Sequence, residues 1–244
     1  SIIKKYDNET YFDLKWYETI FYLIKRERQR IALINWQNNN CINLNLKDKY
    51  IYFALHFQPE RTTDPEAGFL TNQLYALQFL SDNIPDDWYI YVKEHPRQLN
   101  DNKPDIRKLH FRDIKDYEDI KNIKKIKFIH FSVDDEELLK NCLVSCSLQG
   151  STLWKGMIYG KPGISFNETW HSLCRSSPIA NLDSFKKQLI SLSSKDSKEV
   201  KNDLYEFCKD FTMFFLHALN MGNFSKDYLE DKTLIYNLSN FIKD

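Results

Sequence analysis

Between residues 50 and 166 the chain alternates five short apolar runs with amphipathic stretches, and no other feature restricts its fold so strongly. The runs are Tyr50–Leu55, Trp88–Lys93, Ile126–Phe131, Leu143–Cys146 and Gly163–Phe166, the first three rich in aromatic and β-branched residues. Such near-continuous apolar runs suit strands buried on both faces, as in parallel sheets. The intervening segments read as helices: Phe69–Leu80, a weak one over Asp116–Ile123, Asp134–Asn141, and Leu153–Tyr159. Gly160-Lys161-Pro162 stops the last of these. Strand and helix in strict alternation predict an α/β domain with an open, doubly wound, Rossmann-like parallel sheet.

The flanks read differently. Residues 12–36 are predicted as one long helix, with Leu14, Tyr17, Phe21, Ile24, Ile31 and Ile34 at helical spacing among charged residues. Gln37-Asn38-Asn39-Asn40 reads as a polar break. The expected division is therefore residues 1–40 as an amino-terminal helix and linker, and 41–244 as the sheet domain with carboxy-terminal helices near 182–193, 197–219 and 225–242. The serine-rich run Ser191–Ser197 is a short connector.

Charge and cysteine usage narrow the function. Lys plus Arg and Asp plus Glu each total 34, so there is no basic excess of the kind that nucleic-acid binding uses. Five cysteines, with no CxxC pair, read as reduced thiols of a cytosolic protein. No apolar run approaches the ~18 residues of a membrane span. The expected location is cytoplasmic, with room for peripheral work at the inner face of the cytoplasmic membrane. The chain opens on Ser1, and an upstream segment is expected.

In open parallel sheets ligands bind beyond the carboxyl ends of the strands, which directs attention to five loops. After the fourth run, Gln149-Gly150-Ser151-Thr152 enters a helix directly. Free amides and the dipole at a helix start favour phosphate, and glycine permits close approach. A simple Ser or Thr N-cap is the plain alternative. After the second run comes Lys93-Glu94-His95-Pro96: proline restricts the residue before it, so His95 is held out as a donor, with Lys93 a source of charge. The first loop, Gln58 to Thr63, contains Glu60 and Arg61, suited to a reacting sugar or an anionic group. In the third, Ser132 can face a base, or Ser132 or Asp134 can cap the next helix. In the fifth, Asn167 and Glu168 are candidate sugar contacts beside Trp170 and His171. His56, His110, His130 and His217 show no metal-ligand spacing, so no protein-held metal or cofactor is expected. Walker, GxSxG, kinase and GxGxxG motifs are missing from the sequence.

Taken together, Ala54 to Thr63, Tyr91-Val92-Lys93-Glu94-His95-Pro96 and Gly150 to Pro162 resemble the capsule polysaccharide synthesis family. The resemblance covers roughly residues 49–171. It implies a GT-B glycosyltransferase, of which this chain matches the carboxy-terminal, nucleotide-sugar-binding domain. It also implies a CMP-linked donor such as CMP-Kdo and a surface polysaccharide or glycolipid acceptor. By resemblance, His95 and Pro96 border the nucleotide, Gly150, Ser151 and Thr152 hold its phosphate, and Glu60 and Arg61 lie nearer the reacting sugar. The family's amino-terminal acceptor domain does not fit into the 48 residues before the first run. Two other readings stay open: a non-catalytic nucleotide- or partner-binding module, and a CDP-polyol phosphotransferase of the teichoic-acid type.

Overall fold

Five parallel strands form one sheet in the order β3-β2-β1-β4-β5. The computed structural model describes residues 16–56, 72–95, 112–148 and 150–221. In chain order the elements are α1 (Trp16–Asn40), β1 (Lys49–Ala54), α2 (Gln73–Asn83), β2 (Trp88–Lys93), α3 (Ile114–Lys121), β3 (Ile126–Phe128), α4 (Asp135–Asn141), β4 (Val144–Ser147), α5 (Ser151–Ile158) and β5 (Gly163–Ser165). A 3-10 turn (Leu182–Ser184) then leads into α6 (Phe185–Ser193) and α7 (Ser197–Met221). The expected doubly wound α/β fold is therefore present. All five predicted strands form, each within three residues of its expected limits. The helix expected near 225–242 lies outside the described residues.

β1 is central because both of its faces are apolar. Ile51 and Phe53 point into one layer with Ile90, Val92, Val144 and Cys146, covered by Ala76, Leu77 and Leu80 of α2, by α3, by α6 and by the end of α1. Tyr50 and Tyr52 point the other way, joining Tyr91, Leu138, Leu139 and Cys142. Burying tyrosine requires a partner for each hydroxyl. Tyr50 donates to Leu138 O at 2.8 Å, Tyr52 to Asp135 at 2.8 Å and Tyr91 to Asp48 at 2.6 Å. Register follows from these pairings: Phe53 lies beside Val92 on one side and Cys146 on the other. Helix α5 approaches β4 closely because Gly156 faces Ser145, where a Cβ would stand 2.8 Å from the serine hydroxyl.

Two expectations need correction. The polar run 37–40 is no break, since α1 continues through Asn40. Its side chains find tertiary partners instead: Gln37 accepts from Phe131 N, Asn38 meets His130, and Asn40 accepts from Lys121. The packing face of α1 also differs. Leu33 and Trp36 are buried, whereas Tyr17, Phe21, Ile24 and Ile31 are exposed, because only the last turns of α1 reach the sheet domain. None of the five cysteines is joined in a disulfide. Among the described residues no helix is long and apolar enough to cross a membrane.

Candidate functional site

The strand order reverses between β1 and β4, since β2 and β3 lie to one side of β1 and β4 and β5 to the other. At such a switch point neighbouring loops diverge and leave a crevice over the carboxyl ends of the strands. Here the two strand ends meet through His56, two residues beyond β1, and Ser147, the last residue of β4. His56 Nε2 lies 2.7 Å from Ser147 Oγ. Gly150 closes over them: a Cβ at that position would stand 3.2 Å from His56 Cε1 and 3.4 Å from Ser147 Oγ. Glycine suits this position because the backbone passes close to the imidazole.

Gly150 is also the N-cap of α5, and it has no side chain with which to cap. The Ser or Thr N-cap that the sequence leaves open does not form: Ser151 and Thr152 occupy the first two helical positions. The opening amides of α5 are thus left uncovered by a cap side chain, at the positive end of the helix dipole.

His171, after β5, is nearly fully buried and braces this loop from behind. Its Nε2 lies 3.3 Å from Gly150 O, so Nε2 carries the proton, and Nδ1 accepts from Ser177 Oγ or Thr169 Oγ1, both at 3.1 Å. Burial lowers its pKa, which keeps the ring neutral and this tautomer fixed. Asn167 is tied to the same loop through its backbone N–H to Leu148 O at 3.1 Å. Its Nδ2 is buried and has no hydrogen-bond partner. A buried donor without an acceptor is rare and costly in a folded protein. Glu168 is exposed on the same rim. Trp170 is 54% exposed and rests on Trp154 of α5, with ring centroids 4.7 Å apart.

The β1 and β2 ends are locked together by buried polar groups. Gln73 of α2 accepts from His56 N at 2.9 Å and donates to His56 O at 3.3 Å. Arg112 also donates to His56 O, at 3.2 Å, while its Nε pairs with Glu94 at 3.2 Å. Glu94 accepts from His95 N at 2.7 Å through its other oxygen, and from the Tyr117 hydroxyl. Desolvation, followed by the proximity of His95 and Arg112, pushes the His56 pKa down to about 4. His56 is therefore neutral at pH 7, able to donate through one nitrogen and accept through the other.

The remaining predicted residues are placed as follows. His95 sits at the end of β2, half-buried, within the Glu94 linkage. Lys93 points to the opposite face of the sheet, where its amine reaches Asp135 and Val133 O, both at 2.6 Å. Ser132 is exposed and bonded to His130 Nδ1 at 2.6 Å, and Asp134, not Ser132, caps α4. Glu60, Arg61, Pro96 and Gln149 lie outside the described residues. Among the described residues no cluster of His, Cys, Asp and Glu is arranged to hold a metal.

Sequence reasoning did not single out His56, Ser147 or Arg112. The first two follow from the switch-point rule once strand order is known, since they end the two strands that flank the reversal. Arg112 lies in a segment with no motif, and nothing local marks it.

No protein-family profile matches the sequence, and no curated protein matches it. Solved structures with a similar fold include the UDP-GlcNAc 2-epimerase of Methanocaldococcus jannaschii, in complex with UDP-GlcNAc and UDP. It is 17% identical, over 73% of this chain and 46% of that one, with a TM-score of 0.44. The β-Kdo 2,7 transferase of KpsC from Thermosulfurimonas dismutans is 12% identical over 79% of this chain and 54% of its own, with a TM-score of 0.42. The glycosyltransferase VinC in complex with dTDP is 11% identical over 75% and 45%, with a TM-score of 0.41. The chain spans about half the length of these structures.

Proposed function

We propose that this chain is the nucleotide-sugar-binding half of a metal-independent glycosyltransferase, with a CMP-linked sugar such as CMP-Kdo as donor and a surface polysaccharide or glycolipid as acceptor. The observation that supports it best is the meeting of the β1 and β4 strand ends at the switch point. There an uncapped helix start, a close-passing glycine and a neutral histidine converge at a switch point. The resemblance of the segments around His95 and Gly150 to capsule polysaccharide synthesis enzymes adds the chemical class.

In this reading the amides of Gly150, Ser151 and Thr152 take the donor phosphate, with Gln149 beside them. His95 and Pro96 border the nucleotide base and ribose, and Ser132 lies further along the same edge. Asn167 offers its unpaired amide to the donor sugar, with Glu168 at the rim. Glu60 and Arg61 act nearest the reacting centre. Cleavage of the sugar–phosphate bond leaves negative charge on the phosphate while positive charge grows at the anomeric carbon. A preorganised helix N-terminus stabilises the former without reorganisation and without a metal ion. An acceptor domain supplied elsewhere completes the cleft. Lys93, engaged with Asp135, supports β2 from behind.

Calorimetric titration of the chain with CMP, CDP, UDP and GDP tests the proposal. CMP is expected to bind at sub-millimolar concentration, and His95→Ala to weaken it about tenfold. If no nucleotide binds at millimolar concentration, the donor-domain reading is wrong.

A further inference from the structure

The buried ion pair between Glu94 and Arg112 has a cost that its stability contribution does not explain. The Glu94 side chain is fully buried and that of Arg112 is 6% exposed. Pairs of this kind often contribute less than well-packed apolar residues of the same volume would. What sets this pair apart is where its spare hydrogen bonds go. The guanidinium reaches His56 O at 3.2 Å through Nη2 and Glu94 through Nε. The carboxylate holds His95 N at 2.7 Å through Oε1 and Arg112 and Tyr117 through Oε2. An unbroken chain of contacts therefore runs from His95 N through Glu94 and Arg112 to His56 O, joining the two imidazole-bearing strand ends.

We infer that Arg112 and Glu94 are positioning residues that set His56 and His95 as one unit at the carboxyl ends of β1 and β2. The ligand they serve rests on the nucleotide reading above, whereas the linkage itself stands on the geometry alone. Arginine is required because its fork spans two acceptors in fixed geometry, which an ammonium point charge does not. Glutamate is required because both of its oxygens accept. A glutamine amide nitrogen cannot accept, so one of the two strand ends loses its anchor.

The test uses the full chain, its Arg112→Lys and Glu94→Gln variants, and Tyr117→Phe as the mildest change should either of the others fail to fold. Imidazole nitrogen–proton spectra through a pH titration report His56 and His95 directly, with His130 as an internal reference. The expected result is that the His56 and His95 resonances both shift, and the His56 midpoint moves from about 4, while His130 is unchanged. CMP affinity is expected to fall tenfold or more. Folded variants with wild-type His56 and His95 spectra overturn the inference, even if melting temperature drops, because that pattern marks a purely structural pair. Failure of the wild-type chain to bind CMP removes the nucleotide reading but leaves the histidine spectra to decide the linkage.

Discussion

His56 Nε2 and Ser147 Oγ lie 2.7 Å apart across the one place where the strand order of the sheet reverses. This contact joins the ends of β1 and β4, and a Cβ at Gly150 would press on it, 3.2 Å from the imidazole and 3.4 Å from the hydroxyl. His56 is therefore enclosed on three sides: the serine below, the glycine backbone above, and Gln73 and Arg112 on its own main chain.

That enclosure makes stability depend on pH in a defined window. The folded His56 pKa of about 4 lies below its ordinary value of 6.5, so the unfolded chain binds the proton more tightly. Stability is fully present above pH 6.5 and is lost as pH falls toward 4, by on the order of 3 kcal/mol from this group. Burial of His171 lowers its pKa as well and adds in the same direction. Urea unfolding at pH 7, 6, 5 and 4.5 should show a progressive loss, partly flattened in His56→Gln. A His56→Gln variant with the wild-type slope would assign the loss to other groups.

Asn167 predicts a trade between stability and binding. Its buried Nδ2 has no partner, a state that costs about 1–3 kcal/mol. Asn167→Leu should therefore leave the melting temperature unchanged or raise it, while CMP affinity falls at least fivefold. Loss of stability with unchanged affinity would mean that the amide serves the fold alone.

Gly160 terminates α5 with φ at +73°, and Lys161 N donates to Gly156 O at 2.8 Å beyond it. A Cβ there would fall 1.8 Å from Ser197 Oγ and 3.0 Å from Ser197 Cα. The left-handed conformation alone costs an L-residue about 1–2 kcal/mol, and the clash with the start of α7 adds to it. Gly160→Ala is expected to lower stability by roughly 2–4 kcal/mol, read as a lower urea midpoint with an unchanged slope. An unaltered midpoint would show that neither the left-handed backbone nor the contact with α7 carries the expected cost.

Lys93 distinguishes a supporting residue from a ligand-binding one. Its buried amine bonds Asp135 and Val133 O on the face opposite the helix layer of α2. Lys93→Met should cost about 1–3 kcal/mol, discounted because Asp135 is partly exposed, and change CMP affinity less than twofold. A tenfold loss of affinity at preserved stability would put Lys93 in the site.

The amino-acid sequence by itself determined the class of fold. Apolar runs such as Tyr50–Leu55, separated by segments of helical period, admit few architectures other than a parallel sheet covered on both sides. It also located the Gly150 helix start and the Gly160 stop, since glycine at a chain reversal is a local requirement of the backbone. What remained for the tertiary structure was anything that depends on which strands become neighbours. Whether Tyr17 or Trp36 of α1 is buried is decided by how far the helix overlaps the domain, and helical periodicity alone carries no such information. Likewise, 91 residues separate His56 from Ser147 and 56 separate it from Arg112. No local pattern links them, because they meet only after β4 has crossed to the far side of β1 and Arg112 has been brought to the carboxyl ends of β1 and β2.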